Sequence, residues 1–195
     1  MFACLREPIN CMEFCENIAL ATGCDGGVVK LWDPRQDGCA MRFHEHGDYV
    51  SGLRYSPDHG FLYSSSGDGT LNIFDLRTGN LVNGSHSSED DLLCVEIVGS
   101  GSYVCVGSQE GLLHLFRFDN WGLPEDTLPG HSQSVDRILK VSETAICTAS
   151  NDGLIRCVYF LLWGGAGERG TSAPLWHSHR RTTNSPPPLQ SERGR

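Results

Sequence analysis

Apolar and polar positions alternate along most of the chain, and short polar turns ending in glycine interrupt the alternation at a fixed spacing. Gly27, Gly69, Gly111 and Gly153 fall 42 residues apart. Their turns read Cys24-Asp25-Gly26-Gly27, Ser66-Gly67-Asp68-Gly69, Ser108-Gln109-Glu110-Gly111 and Ser150-Asn151-Asp152-Gly153. Seven positions before each glycine stand Leu20, Leu62, Val104 and Ile146, and four before stand the small residues Gly23, Ser65, Gly107 and Ala149. Two positions after it come Val29, Leu71, Leu113 and Ile155, and four after come Leu31, Ile73, Leu115 and Cys157. Alternation on both sides of a tight turn predicts a β-hairpin with one buried face. Its recurrence at 42 residues predicts a repeat architecture built from small sheets.

Five positions after the glycines stand Trp32, Phe74, Phe116 and Val158, so Leu-Trp-Asp at 31–33 and Ile-Phe-Asp at 73–75 end equivalent strands. Gly130-His131 precedes Val135, and His46 precedes Val50. These residues resemble the WD-repeat (WD40) family, in which about 40 to 45 residues make one four-stranded blade of a propeller with Gly-His and Trp-Asp signatures. The resemblance implies that a His, a turn Asp, a strand Ser or Thr and the Trp are hydrogen-bonded together in a blade. It assigns blade-building roles to His46 with Asp68 and to His131 with Asp152, beside the four turn glycines. No unit holds all four residues. The Trp32 unit has Leu5 near the His position and Gly26 at the turn Asp; Phe74 and Val158 replace the Trp elsewhere, and Ser88 stands where a third His is expected. An apolar residue has no indole N–H to donate, so these blades are expected to lean on packing.

The resemblance runs from about Ile9 to Tyr159, and Ile18 to Arg35, Ser65 to Phe74 and Trp121 to Val158 are similar to the middle blades of one branch of the family. The expected fold is all-β: an incomplete propeller arc of about four antiparallel four-stranded blades, with units near 1–45, 46–86, 87–129 and 130–160. The family usually closes a ring of seven, which at this period takes about 294 residues, whereas the chain has 195. A closed four-bladed ring is the alternative. The first blade is expected to lack an outer strand, because nothing before Leu5 supplies one, and raw edges are expected to make the chain sticky.

Charge divides the chain in two. Residues 161–195 hold five Arg and two Glu, which leaves 10 basic and 22 acidic residues in the first 160 and a net charge near −12 there. The Pro-, Ser- and Arg-rich tail is expected to be disordered. Its origin is read as non-coding or alternatively spliced sequence, with a functional basic tail as the alternative. The acidic repeats disfavour direct nucleic-acid binding. Arg6, Glu7 and Pro8 interrupt the apolar N-terminus, which argues against a signal peptide, and the longest apolar run is too short to span a membrane. Nine cysteines at strand positions then read as reduced core thiols of a nuclear or cytosolic protein.

Candidate chemistry is thin. Gly165 to Gly170 fits G-x-G-x-x-G, but Pro174 and Pro186 to Pro188 follow where a helix is required. Cys11 and Cys15, with Cys4 and Cys24 nearby, lack the second matched pair of a structural zinc site, and strand alternation accounts for Cys11. His44 with His46 and His177 with His179 are pairs without a third ligand. Glu89-Asp90-Asp91 reads as a solvated loop, and no nucleophile elbow is present. The expectation is a non-enzyme with no catalytic residues, cofactor or metal.

Recognition through surfaces remains. Trp32-Asp33-Pro34-Arg35, echoed by Asp75 and Arg77, resembles the WDxR box through which some family members dock on the damage-specific DNA-binding adaptor of cullin-4 ubiquitin ligases. The alternative is that Asp33 and Arg35 brace the turn. Two settings are implied by the resemblance: a nuclear, mainly nucleolar scaffold binding pre-ribosomal factors in rRNA processing and large-subunit assembly, or a cullin-4 substrate receptor docking through Trp32, Asp33, Arg35, Asp75 and Arg77.

Overall fold

The computed structural model describes residues 7–15, 19–35 and 37–160 and the backbone of Leu175–His177. Every regular element among the described residues is a strand. The first sheet contains β1 (Ile9–Phe14), β2 (Leu20–Cys24), β3 (Val29–Trp32) and β4 (Cys39–Phe43). The second contains β5 (Val50–Ser56), β6 (Phe61–Ser66), β7 (Leu71–Asp75) and β8 (Asn80–Gly84). The third contains β9 (Leu92–Val98), β10 (Tyr103–Ser108), β11 (Leu112–Arg117) and β12 (Asp126–Pro129). The fourth contains β13 (Val135–Ser142), β14 (Ala145–Ser150), β15 (Ile155–Tyr159) and β16 (Leu175–His177). Each is an antiparallel meander in chain order.

The repeated register follows from the repeated turn. In all four sheets the residue seven before the turn glycine lies opposite the residue five after it: Leu20 and Trp32, Leu62 and Phe74, Val104 and Phe116, Ile146 and Val158. The glycine amide closes each turn on the carbonyl three residues back, at 3.1 to 3.3 Å. Its φ lies between 73° and 85°, the left-handed region that suits glycine.

Consecutive sheets lie face to face, with β1 against β5, β5 against β9 and β9 against β13. The four inner strands share an axis, since Asn10, Gly52, Cys94 and Arg137 line one cavity of about 260 Å³. This is the propeller arrangement, and its apolar core is divided among the seams between blades. Ala21, Val29 and Leu31 meet Val50, Leu53 and Leu62 in the first seam. Tyr63, Leu71 and Ile73 meet Leu92, Val95 and Val104 in the second. Cys105, Leu113 and Leu115 meet Val135, Ile138 and Ile146 in the third. At each seam a side chain of one inner strand also donates to the first carbonyl of the next: Cys11 to Val50 at 3.6 Å, Ser51 to Leu92 at 2.5 Å and Cys94 to Val135 at 3.3 Å.

Three expectations change. The first sheet is complete, because β4 follows within the same unit and supplies the outer strand. The middle hairpins bury both faces: Phe61 is half-buried and every other residue of β6 is buried, as are Leu71 to Phe74. A sheet sandwiched between neighbours has no solvent face, so the polar positions of its alternation become small hydroxyls such as Ser64, Ser65 and Ser66. Third, the outer place of the fourth sheet is taken by the backbone of Leu175–His177, from within the segment expected to lack order. The rest of that segment, with the Gly165 to Gly170 pattern and His179, lies outside the described residues, as do Leu5 and Cys4.

The two outermost faces of the arc are open. Met12 and Phe14 on β1 are 64% and 73% exposed, and Leu139, Val141 and Ile155 on the fourth sheet exceed 60%. The turn glycines record the same asymmetry. A Cβ at Gly27, Gly69 or Gly111 would lie 2.1 to 2.5 Å from a carbonyl oxygen of the next blade's entrance loop, whereas Gly153 has nothing within 4 Å. Gly69→Ala is therefore expected to cost about 3–5 kcal/mol, backbone strain and collision together, and Gly153→Ala only about 1–2 kcal/mol of strain. Urea midpoints of the two variants check this; equal losses would contradict the seam geometry.

Candidate functional site

The second and fourth sheets each hold a hydrogen-bonded set around a histidine. In the second sheet His46 is buried, with Nε2 at 2.6 Å from Ser64 Oγ and Nδ1 at 3.0 Å from Thr70 Oγ1 and 3.3 Å from Asp68 Oδ2. Asp68 also accepts the Gly47 amide at 2.7 Å, so one carboxylate ties the turn to the entrance loop. In the fourth sheet His131 Nε2 meets Thr148 Oγ1 at 2.8 Å and Nδ1 meets Asp152 Oδ2 at 3.1 Å. The first sheet holds the complementary fragment, Trp32 Nε1 donating to Thr22 Oγ1 at 2.9 Å. Where Phe74 replaces the Trp, its ring stacks on Phe43 of the previous blade at 4.3 Å. Packing thus supplies what the missing indole bond does not.

Sequence reasoning missed the residue three after the turn glycine in the two sheets that hold a histidine. In the second sheet Asn72 Nδ2 lies 3.3 Å from His46 Nδ1; in the fourth, Arg156 contacts His131 and reaches Asp152 Oδ2 at 2.7 Å. Burial lowers the pKa of both histidines, Asp68 and Asp152 only partly opposing it. Burial pushes Asp68 up, but bonds from Thr70 and the Gly47 amide outweigh it and its pKa falls. Asp152 is lowered in the same way, against burial, by Arg156, the Leu154 amide and His131.

The proposed docking box lies at the opposite end of the hairpins, where the third strand leaves the sheet. Trp32 is buried, so the exposed part of the box is Arg35, held by Asp33. Asp33 Oδ1 accepts the Arg35 amide and Nε, both at 2.9 Å, and Oδ2 accepts Nη2 at 2.9 Å, a two-pronged ion pair within one turn. Asp75 repeats it, accepting the Arg77 amide at 2.8 Å and Nε at 3.4 Å. Both aspartates are largely covered, while the Arg35 and Arg77 side chains are 65% and 72% exposed. The third sheet carries the pair with its signs exchanged: Arg117, at the Asp position, donates through Nε and Nη2 to Asp119, at the Arg position. Nothing in the Trp-Asp pattern pointed to that exchange, although the 42-residue lattice contains it.

Inside this rim the same end of the arc is acidic. Arg54 on β5 donates to Glu13 on β1, at 3.4 Å, and to Glu96 on β9, forming a ladder across three inner strands. The ladder borders an open depression of about 420 Å³ that Asp58, Lys140 and Glu143 also line. The remaining sequence candidates have local duties. Asp91 accepts the Tyr49 hydroxyl at 3.1 Å across a seam, Asp90 accepts the Glu110 amide, and Cys24 donates to Glu7 at 3.1 Å. Among the described residues no three His, Cys, Asp or Glu come together as a metal site, and no helix is long and apolar enough to cross a membrane.

The WD domain, G-beta repeat family matches residues 37–75, the outer strand β4 of the first sheet and β5 to β7 of the second. WD repeat-containing protein 55 of Homo sapiens is 34% identical over 154 residues, 79% of this chain and 40% of that protein. Its Arabidopsis thaliana namesake is 36% identical over 160 residues, 80% of this chain and 44% of that protein. WD repeat-containing protein JIP5 of Cryptococcus neoformans is 37% identical over 157 residues, 79% and 42% respectively. The chain belongs to the WD-repeat family. It spans about two fifths of the length of these curated relatives. As a WD-repeat protein it has a fold that generally binds other proteins through its surfaces, and the rim and depression above are the polar features this arc offers them.

The lowered histidine and aspartate pKa values fix the direction of a pH response. A folded state that resists protonating His46 and His131 loses stability as pH falls below about 6.5, the ordinary histidine value, towards the lowered ones. Asp68 and Asp152 add stability that is complete above about pH 4 and is lost below it. The melting temperature is expected to drop between pH 7.5 and 5.5 and again below pH 4, with the first drop reduced in His46→Asn. A flat profile from pH 7.5 to 5.5 would contradict it.

Proposed function

We propose that this WD-repeat protein is a non-enzymatic scaffold that gathers pre-ribosomal factors in the nucleolus, serving rRNA processing and large-subunit assembly. The observation that carries the reading is the extent of the similarity: about four fifths of the chain aligns with WD repeat-containing protein 55 and JIP5 of animals, a plant and fungi. The nucleolar setting is the one that the resemblance of the repeats implies. The arc supports a binding role, because its strands are fixed by three packed seams and its WD-turn end displays exposed guanidiniums around an acidic depression. Tagged chain is expected to co-sediment with large-subunit precursors, and its depletion to leave unprocessed pre-rRNA. Recovery only in the free fractions, with normal rRNA processing, would defeat the proposal.

A second reading, docking on the cullin-4 adaptor, is favoured by one observation, the exposure of Arg35 and Arg77 beyond what bracing Asp33 and Asp75 requires. The third blade offers the means to separate bracing from docking. Exchanging the pair, Asp33→Arg with Arg35→Asp, copies the arrangement at Arg117 and Asp119 and keeps the turn's ion pair. Such a variant is expected to keep a cooperative melt and to lose adaptor recovery in a pull-down. Undiminished recovery from the exchanged variant, with Arg77→Ala added, would exclude docking through these turns.

A further inference from the structure

In the first three sheets the middle of the central hairpin is an apolar pair that the next blade covers: Ala21 opposite Leu31, Tyr63 opposite Ile73, Cys105 opposite Leu115. In the fourth sheet the equivalent pair is Cys147 opposite Cys157. Both are half-buried, on the sheet whose Leu139 and Ile155 are exposed. Their sulfurs lie 3.2 Å apart. Residues directly opposed on antiparallel strands have Cα atoms about 4.5 or 5.5 Å apart, and either separation falls in the range a disulfide spans. Closing the bond moves the sulfurs together by about 1 Å. The other described thiols are occupied or deeply covered: Cys105 is fully buried, Cys94 donates to Val135, Cys11 to Val50 and Cys39 to Met41.

We propose that Cys147 and Cys157 form a peroxide-oxidisable dithiol that closes a reversible disulfide between β14 and β15. In the first step one thiol sulfur attacks hydrogen peroxide, the O–O bond breaks, and a sulfenic acid and water result. In the second the other thiol attacks the sulfenic sulfur. The S–S bond forms, the S–O bond breaks, and the oxygen leaves as a second water with the thiol proton. The pair has lost two electrons to peroxide, and a small dithiol such as dithiothreitol returns them, becoming a disulfide itself. In a reducing compartment the link is transient.

Arg156 lies between the two cysteines, so trypsin places Cys147 in residues 141–156 and Cys157 in residues 157–169. Folded chain exposed to hydrogen peroxide, alkylated and digested is expected to give these two peptides as one linked species, lighter by two hydrogens than their sum. The folded protein is expected to lose two of its nine thiols, and dithiothreitol is expected to restore both. Cys157→Ser is expected to give no linked species and to leave Cys147 as a sulfenic acid that dimedone traps. Separate oxidation of the two cysteines in the parent, or preferential linkage of either to another cysteine, overturns the proposal. So does an equal yield of the 147–157 link in guanidinium, which would mean that the fold does not create the pair.

Discussion

Each small sheet has two apolar faces, and a four-stranded sheet of this size buries neither by itself. That constraint shapes the molecule. The three seams are where Val29, Leu71 and Leu113 become fully buried, and each is completed by the inner strand of the following blade. The arc is therefore held by nearest-neighbour contacts, as in other repeat proteins, rather than by one central core. The 42-residue spacing expresses that geometry. A turn glycine must let the next entrance loop approach to within contact of its Cα, and an inner-strand donor must reach the next strand's first carbonyl.

Polar networks are secondary to the seams and are distributed unevenly. The second and fourth sheets keep the His, Asp and hydroxyl cluster, the first keeps Trp32 with Thr22, and the third has neither. The third sheet still packs as well as its neighbours, with Val104, Cys105 and Val106 all fully buried. Its turn is closed by Ser108 Oγ accepting the Leu112 amide at 3.3 Å, and its entrance loop by Asp90 accepting the Glu110 amide. A blade thus tolerates loss of its hydrogen-bonded set when adjoining sheets cover both of its faces.

The hairpins, their register and the identity of the paired residues were legible because period-two alternation and a glycine at positive φ leave direct marks on the sequence. Burial of both faces was less so, since Ser64, Ser65 and Ser66 look like a solvent-facing polar run until a neighbouring sheet is laid over them. The Glu13–Arg54–Glu96 ladder was illegible for another reason. Its members are some 41 and 42 residues apart on different blades, and charged residues at inner-strand positions resemble ordinary surface charges. The exchanged pair Arg117 and Asp119 was written on the same lattice as Asp33 and Arg35, but a motif defined by residue type hides an interaction that depends only on opposite sign. Asn72 and Arg156 share no chemistry with each other, yet in the fold both lean on a histidine ring. The WDxR box was legible as a pattern, whereas the division of labour within it, a buried indole and an exposed guanidinium, required the fold.

The two tryptophans with described side chains occupy unlike boundaries. Trp32 lies within the first sheet, bonded to Thr22 of the adjacent strand. Trp121, from the connection between β11 and β12, rests 5.6 Å from Tyr63 of the second sheet and 5.7 Å from Phe118. Indole emission from Trp32 therefore reports the interior of one blade, and emission from Trp121 the joint between two, so a chain that keeps only one of these indoles tells whether a blade or a joint loosens first.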